Sequence, residues 1–143
     1  MPQKRRDTQK LRRCLVLEDS MQDQEMIRRA MRGARIDVDL DFVTTINGAR
    51  KSLREKTFSA ILCDNSVPDG SGSEFARELA AEPELMGTPI AIVSGWPSPF
   101  MWDKARQAGL KVIDKTDEPM IKLRDFFRHN FRNSDPMTTR RRA

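Results

Sequence analysis

Residues 60–72 read Ala-Ile-Leu-Cys-Asp-Asn-Ser-Val-Pro-Asp-Gly-Ser-Gly and join a short apolar run to a polar loop. The apolar run ends at the carboxylate of Asp64, and the proline and two glycines that follow permit backbone conformations that a strand cannot hold. Asp64 is therefore predicted to lie at the carboxyl end of a strand. In an open α/β sheet that end is where ligands bind, although aspartate also caps turns at such junctions.

Length and composition limit the classes of protein to consider. The 143 residues suit one domain with a single core. No apolar run approaches the roughly 20 residues that span a bilayer, and no signal-peptide pattern follows the start, so we expect a cytoplasmic protein without membrane insertion. Cys14 and Cys63 lie in apolar runs and are predicted to be buried hydrophobic residues. The single histidine, His129, argues against histidine triads and zinc catalysis.

Positive charge is concentrated at the two ends of the chain. The formal net charge is +5 at pH 7. Residues 1–11 and 132–143 are predicted to be basic tails on a mildly acidic domain at 12–131. Such tails contact nucleic acid or an acidic partner, or stay solvated and disordered. No aromatic residue lies among their charges, so nucleic acid is the less favoured partner. DNA binding by the tails would weaken steeply with added salt.

Short apolar runs alternate with helical patterns along the chain. Buried strands are predicted at 14–17, 58–63, 89–93 and 110–113, and an edge strand with alternating aspartates at 38–42. Amphipathic helices are predicted at 21–32, 46–56, 75–80, 100–108 and 117–131. Five strands alternating with five helices predict an α/β fold with a doubly wound parallel sheet.

Polar side chains follow four of the predicted strands, namely Glu18 and Asp19, Asp64, Ser94, and Lys115. The carboxyl ends of parallel strands share one edge of the sheet, so these residues are expected to meet. Three crowded carboxylates repel one another unless a cation joins them, and Mg²⁺ prefers such oxygen ligands. The lysine and the hydroxyl suit a phosphoryl group. An aspartate beside Mg²⁺ can itself be the nucleophile that forms an aspartyl phosphate.

This arrangement resembles the receiver domain of two-component response regulators, a flavodoxin-like (βα)5 fold with strand order 2-1-3-4-5. The resemblance covers about residues 12–131. Over this range the chain is similar to the single-domain receiver of bacterial chemotaxis. The matching positions are Glu18-Asp19 for the acidic pair, Asp64 for the phosphoacceptor, Ser94-Gly95 for the Thr or Ser with a small neighbour, and Lys115 for the invariant lysine.

The resemblance implies that Asp64 accepts a phosphoryl group from a histidine kinase or phosphotransfer protein. The implied Mg²⁺ ligands are the carboxylates of Asp19 and Asp64, Glu18 through water, and the backbone carbonyl of Ser66. Lys115 would pair with one phosphoryl oxygen and Ser94 would move to another. That movement would repack the face of the fourth helix, fifth strand and fifth helix, where an unknown downstream protein binds. The resemblance thus implies a monomeric or weakly dimeric switch that is not an enzyme beyond its own phosphorylation and dephosphorylation.

Three residues depart from the family pattern. Val112 stands where the family has Tyr or Phe, so the usual aromatic rotamer switch cannot operate. Thr116 replaces a proline that follows the lysine through a cis bond. Since a cis bond before threonine costs about 3–4 kcal/mol, we expect a trans bond or a locally strained loop. Trp96 is predicted to shield the acyl phosphate from water and so to slow self-dephosphorylation.

Two other functions fit part of the pattern. Phosphatases of the haloacid-dehalogenase class begin with Asp-x-Asp and end with their acidic pair, whereas here the acids come first and Ser66 takes the second Asp position. A receiver-shaped adaptor that works without phosphorylation is favoured by Val112 and Thr116 and disfavoured by the intact acids and Lys115. The substitution Asp64→Asn separates the readings, because only a phosphorylation switch loses function.

Overall fold

The computed structural model describes residues 12–131; the predicted basic tails at 1–11 and 132–143 lie outside the described residues. The five parallel strands are β1 Arg13–Leu17, β2 Asp39–Val43, β3 Ala60–Asp64, β4 Ile90–Ser94 and β5 Lys111–Asp114. The five α-helices are α1 Met21–Ala34, α2 Ile46–Glu55, α3 Gly72–Ala80, α4 Pro99–Gln107 and α5 Pro119–Phe131. The strand order is β2-β1-β3-β4-β5, so the predicted flavodoxin-like topology is confirmed. None of the helices described here is long and apolar enough to cross a bilayer.

Helices cover both faces of the sheet and create two hydrophobic layers. Successive residues of a strand point to opposite faces, and Val16 of β1 accordingly packs in the layer that contains α1 and α5, represented by Ile27 and Phe127. Leu15 packs in the other layer with α2, α3 and α4, where Phe75 is buried. Burial on both faces explains why the inner strands read as continuous apolar runs.

The boundaries of several elements differ from prediction for identifiable reasons. β3 and β4 each end one residue later than predicted, so that Asp64 and Ser94 are still paired in the ladder. α1 continues to Ala34 because Gly33 is accommodated within it, and the helix ends at Arg35, which has a left-handed φ of 58°. α5 begins at Pro119, since proline has no N–H and its fixed φ suits the first helical turn.

A short hairpin follows β3 and was not predicted. The two-residue strands Ser66–Val67 and Gly70–Ser71 pair in antiparallel fashion. The backbone then turns into α3 at Gly72, whose N–H donates to the carbonyl oxygen of Asn65 at 2.7 Å. A Cβ atom on Gly72 would lie 1.6 Å from the carbonyl oxygen of Asp64. The return of the chain therefore brings α3 directly against the end of β3.

We expect Gly72→Ala to lower the free energy of unfolding by at least about 2 kcal/mol, because backbone must move to admit the methyl group. Gly95→Ala is the matched control, since no atom lies within 4 Å of its added Cβ. Urea unfolding of both variants measures the difference. Equal unfolding midpoints for the two variants would contradict the close approach at Asp64.

Candidate functional site at the carboxyl edge of the sheet

Three carboxylates meet where β1 and β3 end. Glu18 and Asp19 follow β1 directly, and Asp64 is the last residue of the neighbouring strand β3. One carboxylate oxygen from each residue lies within 4.8 Å of the others. The side chains of Glu18 and Asp64 are only 1% and 12% exposed, whereas Asp19 is exposed. The topology thus brings together acids that are distant in sequence.

Lys115 places an ammonium group among these acids. It follows β5, and its backbone N–H donates to the carbonyl oxygen of Ser94 at 2.8 Å. Its Nζ atom lies 3.1 Å from Glu18 Oε1, 2.7 Å from Asp23 Oδ2 and 3.1 Å from Asp64 Oδ1. An ammonium group has three N–H donors, so each has a carboxylate acceptor. Lys115 thereby bridges the ends of β1, α1 and β3.

Burial and charge shift the pKa values of this cluster. Burial raises the pKa of Glu18 to about 7, against the opposing effect of Lys115. Burial likewise raises the pKa of Asp64, although the charge and hydrogen bond of Lys115 oppose the shift. Burial lowers the pKa of Lys115, but its hydrogen bond with Asp23 and the charges of Glu18 and Asp64 raise that pKa overall. The single ammonium group of Lys115 therefore does not fully offset the negative charge of Glu18 and Asp64.

The donor set fits a hard divalent cation. Glu18, Asp19 and Asp64 offer oxygen atoms, the ligands that Mg²⁺ and Mn²⁺ prefer. Carboxylates whose pKa values are raised by burial and mutual repulsion gain most from an added cation. Ser66, whose backbone carbonyl is the fourth expected ligand, is the first residue of the hairpin after β3. The residues present are thus chemically suited to a metal at this edge.

The predicted phosphoryl-binding hydroxyl lies on the next strand of the sheet. Ser94 is the last residue of β4, is 1% exposed, and stands beside β3, where Asp64 pairs with Val93. Its Oγ atom accepts a hydrogen bond from the N–H of Trp96 at 3.2 Å. Gly95 has open space beside it. The Ser94 hydroxyl therefore already holds the first turn of the loop that leads to α4.

The departures from the family pattern occupy distinct environments. Trp96 is 89% exposed, so its predicted shielding of an acyl phosphate stays a prediction. Val112 is buried in the α2–α4 layer, with no aromatic ring at this position.

All peptide bonds of residues 12–131 are trans, so the bond before Thr116 is trans as expected. Thr116 donates through both N–H and Oγ1 to Asp114 Oδ1, at 2.8 and 2.7 Å. Glu118, with φ of 48°, is strained in the same loop.

Two residues of α1 belong to the site but were not predicted there. Asp23 lies in the first turn of α1, where its N–H donates to Ser20 Oγ, and its carboxylate accepts from Lys115 Nζ. Gln24 is buried, and its Nε2 atom donates to the carbonyl oxygen of Glu18 at 2.8 Å. Its position three residues before Ile27, on the buried face of α1, was the available sequence signal. Gln24 fixes the backbone that presents Glu18.

Solved structures of receivers share this fold at low identity. The Mn²⁺-bound response regulator Rcp1 superposes with a TM-score of 0.71 at 16% identity, covering 82% of this chain and 92% of Rcp1. The chemotaxis protein CheY4 of Vibrio cholerae gives 0.68 at 19% identity, covering 82% and 98%. The phosphorylated cyanobacterial phytochrome response regulator RcpA gives 0.70 at 16% identity, covering 87% and 96%.

Sequence comparison identifies the family. The hydrogenase transcriptional regulatory protein HoxA of Bradyrhizobium diazoefficiens is 34% identical over 83 residues, which are 57% of this chain and 16% of HoxA. This chain therefore matches only a small part of that relative. The sequence profile of the response regulator receiver domain matches residues 14–120. With this match and the flavodoxin-like topology, the chain belongs to the family of response regulator receiver domains.

Proposed function

We propose that this receiver domain accepts a phosphoryl group on Asp64 from a histidine kinase or phosphotransfer protein, with Mg²⁺ bound beside it. The observation that carries the proposal is the contact of Asp64 Oδ1 with Lys115 Nζ at 3.1 Å, inside a cluster of oxygen ligands. A carboxylate flanked by an ammonium group and a metal site can attack phosphorus while its partners offset the charge that is transferred.

Each side chain of the site has a specific part in that reaction. An Asp64 oxygen attacks phosphorus, and the phosphorus–nitrogen bond to the donor histidine breaks as the new phosphorus–oxygen bond forms. Glu18 and Asp19 would hold Mg²⁺, which when bound supplies positive charge beside the phosphoryl oxygens. Lys115 would donate to a phosphoryl oxygen instead of the Asp64 carboxylate. The chemistry of the chain itself is then limited to phosphorylation and dephosphorylation of Asp64.

The signalling step of the proposal starts at Ser94. Its hydroxyl accepts from the N–H of Trp96 at 3.2 Å, and turning that hydroxyl toward a phosphoryl oxygen would release this contact. The loop before α4 would then change, and with it the face formed by α4, β5 and α5. Trp96 and Phe100 are 89% and 68% exposed at this end of α4. We propose that a downstream protein binds this face differently in the two states.

Binding of beryllofluoride, a phosphoryl mimic, tests the proposal. We expect calorimetry to show Mg²⁺-dependent binding to the wild-type protein and binding about 100-fold weaker to Asp64→Asn, because beryllium coordinates a carboxylate oxygen of the acceptor and an amide oxygen is a much poorer ligand. Asp103→Asn is the control, since Asp103 is 67% exposed on α4 in an ion pair with Arg106. Equal affinity of wild type and Asp64→Asn would contradict the assignment of the acceptor.

The alternative function is a receiver-like adaptor that works without phosphorylation. It is favoured by Thr116 after the lysine and, most directly, by the small aliphatic side chain of Val112 in place of a switchable ring. A wild-type protein that binds neither Mg²⁺ nor beryllofluoride would favour this alternative. An adaptor would also keep its partner affinity in Asp64→Asn.

A further inference from the structure

We propose that Asp23 is a positioning residue that holds the ammonium group of Lys115 in the resting state and competes for it with the incoming phosphoryl group. The inference rests on the proposed function of Asp64. It concerns a carboxylate outside the set of candidate metal ligands, since the acids that approach within 4.8 Å of one another are Glu18, Asp19 and Asp64.

The distances show which acid holds Lys115 most closely. Nζ lies 2.7 Å from Asp23 Oδ2, whereas its distances to Glu18 Oε1 and Asp64 Oδ1 are both 3.1 Å. A charge-assisted bond of about 2.7–2.9 Å is a short one. All three donors of the ammonium group are therefore engaged, and the strongest contact is with Asp23. A phosphoryl oxygen can gain one of these donors only if a carboxylate loses it.

Asp23 is also held by a contact within the first turn of its own helix. It lies in the first turn of α1, and its N–H donates to the Oγ atom of the N-cap residue Ser20 at 3.2 Å. The positive end of the helix dipole favours a carboxylate in this turn. The Asp23 side chain is 30% exposed, and the Lys115 side chain is 16% exposed. Asp23 therefore has a contact within α1 that does not involve Asp64.

This geometry predicts the direction of the effect. A phosphoryl group on Asp64 brings further negative charge to Lys115, and Asp23 then repels that group while sharing the same ammonium. Removing the charge of Asp23 weakens its hold on one donor of Lys115 and removes the repulsion. The phosphorylated state should consequently gain stability relative to the resting state. Asp23 thus sets how readily Asp64 is phosphorylated and how readily the phosphorylated domain returns to the resting state.

The test is the affinity for beryllofluoride at saturating Mg²⁺, measured by calorimetry on the whole chain. We expect Asp23→Asn to bind about fivefold to tenfold more tightly than the wild-type protein, the range of an ion-pair contact of about 1 kcal/mol. Asp23→Glu keeps the charge and should return the affinity toward that of the wild type. Saturating Mg²⁺ separates this effect from any change in metal affinity.

Two control variants separate positioning from general effects. Glu25→Gln makes the same change of formal charge on α1, where Glu25 pairs with Arg28, Arg29 and Arg32 instead of Lys115. Asp103→Asn removes an exposed carboxylate on α4 that pairs with Arg106 and lies outside the Lys115 cluster. Both should bind beryllofluoride within twofold of the wild type, and urea unfolding checks that every variant is folded.

The inference is overturned if Asp23→Asn binds no more tightly than the wild type, or if Glu25→Gln shows the same gain. In either case, binding of beryllofluoride by the wild-type protein would still support the proposed role of Asp64. Loss of binding in the wild-type protein itself would overturn the proposed function, and the inference about Asp23 with it.

Discussion

Lys115→Met is expected to lower the free energy of unfolding by about 3–5 kcal/mol near neutral pH in the absence of Mg²⁺, as breaking a buried ion pair does. Methionine keeps most of the apolar stem of the lysine and removes only the ammonium group. Glu18, Asp23 and Asp64 then lose their shared cation, and Glu18 is 1% exposed, with little access to water. Uncompensated carboxylates at this edge favour the unfolded chain, in which they are hydrated.

The loss of stability in Lys115→Met should depend on Mg²⁺ and on pH. Added Mg²⁺ is expected to restore part of the stability, because it supplies positive charge to Glu18, Asp19 and Asp64. Lowering the pH toward about 5 should also reduce the loss, since acids without a cation have raised pKa values and take up protons in the folded state. Urea unfolding with and without Mg²⁺ measures both effects.

The control for Lys115 is Lys122→Met. Lys122 and Asp117 form an ion pair at 2.7 Å whose side chains are 37% and 67% exposed. Exposed pairs contribute little, so this variant should unfold close to the wild type. If Lys115→Met unfolded at the same urea concentration as Lys122→Met, the buried cluster would not depend on its lysine.

Glu18→Gln is expected to stabilise the metal-free protein above neutral pH. Burial raises the pKa of Glu18 from its ordinary 4.5 to about 7, so the folded state binds the proton more tightly than the unfolded state. That contribution to stability is present at low pH and is lost as the pH rises through about 7. Glutamine stays neutral, so at about pH 8 the variant should exceed the wild type by up to about 3 kcal/mol.

The same variant should respond weakly to metal. At about pH 4, below the ordinary pKa of 4.5, Glu18 is mostly protonated in both the folded and the unfolded chain and is nearly equivalent to glutamine, so the two proteins should unfold at similar urea concentrations. At about pH 8, Mg²⁺ should stabilise the wild type by mass action and stabilise Glu18→Gln much less. A wild type that is as stable as Glu18→Gln at high pH without Mg²⁺ would contradict the electrostatic account of this edge.

The main features of the site could be predicted because they depend on strand periodicity. Apolar runs that end in polar residues indicate buried parallel strands, and the sheet topology then brings Glu18, Asp64 and Lys115 to one edge. The helices could be predicted from their spacing of apolar residues. Their ends were less predictable: Arg35 ends α1 in a left-handed conformation, which local sequence does not require.

The features that were not predicted depend on tertiary contacts. The hairpin at Ser66–Val67 and Gly70–Ser71 has only two residues in each strand, too few to show an alternating pattern, and it lies where α3 returns against the end of β3. Asp23 has an ordinary helix-capping position in sequence, and only the fold brings Lys115 to it. Side-chain partners across 92 residues of chain are set by topology and not by spacing.

Intact-protein mass after treatment with acetyl phosphate and Mg²⁺ tests the central claim most directly. The account predicts a single added phosphoryl group on the wild-type protein, located by peptide analysis at Asp64, dependent on Mg²⁺ and absent from Asp64→Asn. An adduct of the same yield on Asp64→Asn, or no adduct on the folded wild type, would contradict the claim that Asp64 is the phosphoacceptor.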